Sequence, residues 1–158
     1  MDRTQHHPPS TPAPLAALLT TAAAVIDANP HMAPTVIVGP RLAEGLLAIA
    51  ARRLVAPAAA QYRTAERTAR DAVTHLYVAE RDRANEATIR AAYHRADATD
   101  RAAEVAGRQL AAVERAAATT VAAALDALGP LPDGTTRAQL SAAMRTVAAR
   151  PALTGAAR

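Results

Sequence analysis

The chain has 158 residues, a hydrophobic fraction of 51% and a formal charge of +4, with no cysteine, tryptophan or phenylalanine. That length suits a single domain with a modest core, and the missing cysteines exclude disulfides and thiolate metal sites. No apolar run reaches the roughly 20 residues that span a bilayer, and LAALLTTAAAVI lacks the basic flank and cleavage pattern of a signal peptide, so a cytoplasmic chain is expected.

Of the residues counted as hydrophobic, 46 are alanine, and all 18 basic residues are arginine. This combination reads as the mutational signature of a GC-rich genome, as in a high-GC bacterium. It also bears on folding. A buried alanine methyl contributes far less than a buried leucine, so long helices at close spacing are expected rather than a thick core.

Residues 1–13 hold MDRTQHHPPSTPA, proline-rich with little to bury, and are predicted to be a disordered tail. The pair His6-His7 is too short for a metal tract. A single helical domain is expected over 14–150. Its first helix, about 14–28, places Leu15, Leu18, Leu19, Ala22, Val25 and Ile26 near one stripe and stops at Asn29-Pro30. The prolines around Val36-Ile37-Val38 bracket three β-branched residues that lack an evident strand partner, which predicts a buried connector. A second helix, about 41–56, carries Leu42, Leu46, Leu47, Ile49, Ala50 and Leu54, with Pro57 as the joint to the next.

Residues 58–128 contain no proline and one glycine, Gly107. Two seams alternate by three and four residues there: Tyr62, Ala65, Ala69, Ala72, Leu76 and Ala79, then Ile89, Ala92, Ala96, Thr99, Ala103, Ala106, Leu110 and Val113, running on through Ala117, Thr120 and Ala124. ERDRANEA, at 80–87, has no large apolar residue, and the second seam is out of phase with the first. Either a hairpin turning near Asn85 or one helix of about 100 Å satisfies this break. After Gly129-Pro130 and the turn LPDG, Thr136 to Gln139 fits a capping box that opens a helix over about 136–149, with Leu140, Met144 and Val147 on one stripe. Residues 151–158 are expected to fray. The fold class predicted is all-α, an elongated bundle or antiparallel coiled-coil-like hairpin of four to five helices with alanine-rich seams.

Candidate chemistry is sparse. Asp71 with His75, and His94 with Asp97, have helical ligand spacing, and a hairpin would set the pairs opposite each other. At about 100° per residue, however, His94 points about 175° from its seam and Asp71 about 135° from its own, so the four do not converge. No glutamate has a histidine three residues on, as di-iron bundles require. The chain also lacks a Gly-x-Ser-x-Gly elbow and a glycine-rich phosphate loop. No catalytic, cofactor-binding or metal residue is therefore assigned, no small-molecule substrate is predicted, and the chain is expected not to be an enzyme.

From Gln61 to Arg115 ten arginines face nine carboxylates, so the basic excess lies outside that segment. Arg52, Arg53, Arg137, Arg145 and Arg150 are the candidate interaction residues, able to meet an acidic protein or a phosphate backbone. The expected function is that of a structural or adaptor protein acting through helix–helix contacts with another protein or a second copy. The alternative is a nucleic-acid accessory protein. Tyr62-Arg63-Thr64-Ala65-Glu66 and Tyr93-His94-Arg95-Ala96-Asp97 match the Tyr-x-x-x-Asp/Glu pattern of type VII secretion substrates, a family this chain resembles in its use of small helical hairpins. The tryptophan-x-glycine turn of that family is missing here and both matches fall mid-helix, so no residue roles are carried across.

Overall fold

The computed structural model describes residues 13–29, 31 and 33–150. Of the tails predicted at 1–13 and 151–158, residues 1–12 and 151–158 lie outside the described residues. Among the described residues there are four helices and no strand: α1 Ala13–Asp27, α2 Pro40–Arg81, α3 Glu86–Leu128 and α4 Arg137–Ala148. The chain is all-α, and α1 starts one residue inside the predicted tail. No described helix is long and apolar enough to cross a membrane. Two compact units emerge: unit 1 joins the chain up to Arg52 with the chain from Ala117 onward, and unit 2 is the continuous segment Arg53–Ala116.

Unit 1 holds the leucine core. Leu18 and Leu19 of α1, Leu47 of α2 and Leu140 and Met144 of α4 are fully buried, joined by Ala124 of α3 and by Val38 from the α1–α2 connector. The helical stripe read for the start of α2 was too wide: Leu46, Leu47 and Ala50 point inward, but Ile49 and Leu54 are exposed. The lone extended piece also finds a partner. Ile37 bridges Thr136 antiparallel, the Val38 N–H donates to the Thr135 carbonyl at 2.8 Å, and the Arg137 N–H donates to the Val36 carbonyl at 2.8 Å. Val38 alone of the three valine and isoleucine side chains there is buried, and Ile37 is 68% exposed. The predicted buried connector is thus a mostly exposed one, held by backbone hydrogen bonds to a segment 100 residues away that sequence proximity cannot suggest.

A second correction concerns Pro57. It does not divide two helices but lies inside α2, which runs 42 residues without a break. Proline removes one N–H from the ladder and frees the carbonyl four residues earlier, that of Arg53. Arg53, Ala56 and Pro57 are all exposed, so water can satisfy the freed group, and the high helix propensity on both sides carries the helix through.

Unit 2 is a hairpin of α2 and α3, which decides between the two arrangements left open by the seam. Its turn uses neither glycine nor proline. The Ala84 N–H donates to the Ala79 carbonyl and the Arg83 N–H to the Glu80 carbonyl, the two reverse hydrogen bonds of a Schellman ending. Arg83 takes the left-handed conformation that glycine usually supplies there, with φ 51°. Asn85 then caps α3, its Oδ1 accepting from the Thr88 N–H at 2.9 Å. At the far end α3 stops at Gly129, also left-handed with φ 67°, as the Gly-Pro pair predicts. The capping box at the start of α4 forms as read, with the Gln139 N–H donating to Thr136 and the Thr136 N–H donating to the Gln139 side chain.

Candidate protein-interaction surface

In unit 2 the residues turned inward are the small ones. Ala69 and Ala72 of α2 and Ala96 of α3 are buried; Tyr62, Ala65, Leu76, Ile89, Ala92, Ala103 and Leu110 are half-buried. A Cβ placed on Gly107 would lie 3.4 Å from the Tyr62 ring, so α3 passes close to α2 at that level. Val113, the last seam position in this unit, is exposed at 38%. Its drift has a simple cause: a straight α-helix turns about 20° away from a seven-residue stripe with each heptad, and Val113 lies more than three heptads beyond Ile89.

Larger apolar groups face outward. Val73 is 55% exposed, Tyr77 64% and Tyr93 60%, while the seam alanines Ala69, Ala72 and Ala96 are buried. Counting about 100° per residue from each seam puts Val73 and Tyr77 of α2, and Tyr93 of α3, on the same flank of the hairpin. That flank also contains a groove of about 700 Å³, bordered by Tyr62, Glu66 and Val73 on α2 and by Asp100, Glu104 and Gly107 on α3. Its rim is acidic. Glu66 accepts from Arg70 at 2.7 Å, Glu104 lies 3.7 Å from Arg108, and Asp100 is exposed. Sequence reasoning pointed to the seam but not to this flank, because tyrosines spaced fifteen and sixteen residues apart give no local signal.

The five arginines singled out from the sequence meet different fates. Arg52 and Arg53 are exposed on α2, and Arg150 is exposed just after α4. Arg137 is buried, and its guanidinium donates to the carbonyls of Ile26 and Asp27, the last of which is at 3.1 Å. It thereby closes the C-terminal end of α1, where carbonyls have no helical partner and a cation is favoured. Arg145 pairs with the Asp27 carboxylate, whose other oxygen accepts from Ser141 at 2.9 Å. These two arginines hold α4 to α1 and are already engaged within unit 1. Their role could not be read from charge counting, since Asp27 precedes them by 110 residues or more.

Asp71, His75 and His94 are exposed, and Asp97 accepts from Arg101 at 2.7 Å. The His94 ring meets Tyr93 edge-on at 6.2 Å between centroids. Among the described residues no three His, Asp or Glu side chains gather as a metal site would require. Of the two Tyr-x-x-x-Asp/Glu matches, one has its tyrosine packed at the Gly107 crossing and the other has its tyrosine exposed, both in mid-helix. Compared with protein-family models, with curated proteins and with solved structures, the chain matches none.

Proposed function

We propose that the chain is a non-enzymatic structural or adaptor protein that works through helix–helix contact, with another protein or with a second copy of itself. One observation carries this reading. Unit 2 covers alanines and leaves Val73, Tyr77 and Tyr93 exposed together on one flank. Exposed aromatic and branched side chains grouped on a rigid element are the common core of a protein interface, where tyrosine is enriched. The small seam supports the same reading, because it lets two backbones approach closely while burying little apolar area, so that a partner adds burial the hairpin does not supply for itself.

Cross-linking in the native cell tests it, comparing the chain with its Tyr77→Ser/Tyr93→Ser double variant. Both tyrosines are exposed, so the variant should keep its melting temperature and lose the cross-linked species. An unchanged cross-linking pattern would remove the reading.

A second reading, binding along a nucleic-acid backbone, is favoured by rows of arginine on the outer faces of the hairpin. Arg63, Arg70 and Arg81 on α2, and Arg90, Arg101 and Arg108 on α3, repeat at seven or eleven residues and are all exposed. Four of the six pair with carboxylates one turn away, which weakens the field they present. Titration of labelled DNA and RNA at low and moderate salt separates the readings, and the absence of binding at low salt eliminates the second.

A further inference from the structure

We infer that the acidic groove of unit 2 receives the outward face of α2 from unit 1 of a second copy. The inference rests on the reading of this chain as an interaction protein, and it names both the partner and the surfaces. The groove supplies apolar surface, with Tyr62 and Val73 on one side and Gly107 on the other, and carboxylates at Glu66, Asp100 and Glu104 that outnumber its one guanidinium, Arg70. What fits it is a helix with small or apolar residues along its centre and long cationic side chains that reach carboxylates grouped within about one turn.

Unit 1 displays such a face. Arg41, Gly45, Ala48, Ile49 and Arg52 are all exposed on α2. At about 100° per residue the five fall within roughly 100° of one another, on the side opposite buried Ala43, Leu46, Leu47 and Ala50. Nothing lies within 4 Å of where a Cβ on Gly45 would be, so another backbone can approach there closely. The one acid of the stretch, Glu44, points about 60° to the side of Arg41.

The two surfaces also agree in length. Arg41 and Arg52 are eleven residues apart, as are Tyr62 and Val73, so each spans about 16 Å at 1.5 Å per residue. Docking would place the guanidiniums near the groove carboxylates and Ile49 over the Tyr62–Val73 surface. Asp100 would gain a cationic partner. The face and the groove are different surfaces, so the contact is heterologous: each copy can offer both halves.

Charge reversal with complementation tests this arrangement. Sedimentation velocity at roughly 100 µM and low salt should show the native chain self-associating, more weakly as salt rises. Arg41→Glu/Arg52→Glu and Asp100→Arg/Glu104→Arg should each weaken association at least about tenfold. Mixing the two variants should restore it, because each then meets an opposite charge on the other. All the altered side chains are exposed, and circular dichroism verifies that both variants retain the native helix content and melting temperature; Arg41→Ala and Asp100→Asn replace any that do not. A native chain that stays monomeric, association that survives both reversals, or failure of the mixture to recover would overturn the inference. If cross-linking still depends on Tyr77 and Tyr93 in such a case, the adaptor reading stands and only the proposed partner and surfaces fall.

Discussion

Unit 1 and unit 2 share α2 and α3 but differ in the size of the side chains they bury. In unit 1 the covered groups include Leu18, Leu19, Leu47, Leu140 and Met144 of α1, α2 and α4, beside alanines such as Ala22, Ala43 and Ala124. In unit 2 the covered groups are alanines, and Tyr77, Tyr93 and Val73 stand outside. The difference shows two ways to hold helices together. Large side chains remove much apolar surface from water, whereas small ones remove little and rely on high helix propensity over more than forty residues of each helix.

The sharpest way to break that comparison is to shorten one leucine in each unit. Leu47→Ala should cost about 2–5 kcal/mol, as for other fully buried leucines. Leu76→Ala, at a half-buried place on the unit 2 seam, should cost about 1 kcal/mol because less area is lost. Equal losses in urea unfolding would mean that the hairpin has a core of its own. Next in size is Arg137→Ala, which takes the guanidinium from the Asp27 carbonyl and leaves that of Ile26 with only the Asn29 N–H, at 3.3 Å. A loss of about 1–3 kcal/mol is expected, with α1 the first helix to gain hydrogen-exchange sensitivity.

Two smaller effects sharpen the account of unit 2. Arg83→Gly should raise stability by about 1 kcal/mol, since the left-handed conformation costs roughly that much for a residue with a Cβ. The melting temperature should rise; a fall would show that the arginine side chain contributes more than its backbone costs. Arg101→Ala, which removes an exposed pair with Asp97, should cost about 0.2–0.5 kcal/mol at low salt and less at high salt. Thermal melts at two ionic strengths measure it.

Much of this organisation was legible in the sequence, and the gaps have physical causes. The helix over Arg137–Ala148 follows from a capping box and a stripe, both local signals, and the seams follow from a three-and-four alternation that 3.6 residues per turn makes readable. The hairpin was only half legible because its turn rests on Arg83 in a conformation for which sequence offers glycine as the usual sign. Pro57 misled in the opposite direction, since a proline whose freed carbonyl faces water need not end a helix. Of the candidate interaction residues, Arg52 and Arg53 are exposed, whereas Arg137 is buried. Its partners are carbonyls, which composition and charge cannot reveal.

The link from Arg137 to the end of α1 also imposes an order on folding. The donor that closes α1 lies 111 residues after the carbonyl of Ile26 that accepts from it, and the bridge at Ile37 waits for Thr136. During synthesis the whole of unit 2 is made before either partner exists. The hairpin closes through neighbours in sequence, which is fast, while α1 and the first third of α2 must wait with their leucines uncovered until α4 arrives. Truncation anywhere before α4 should therefore yield a chain whose middle is helical and whose beginning is prone to aggregate.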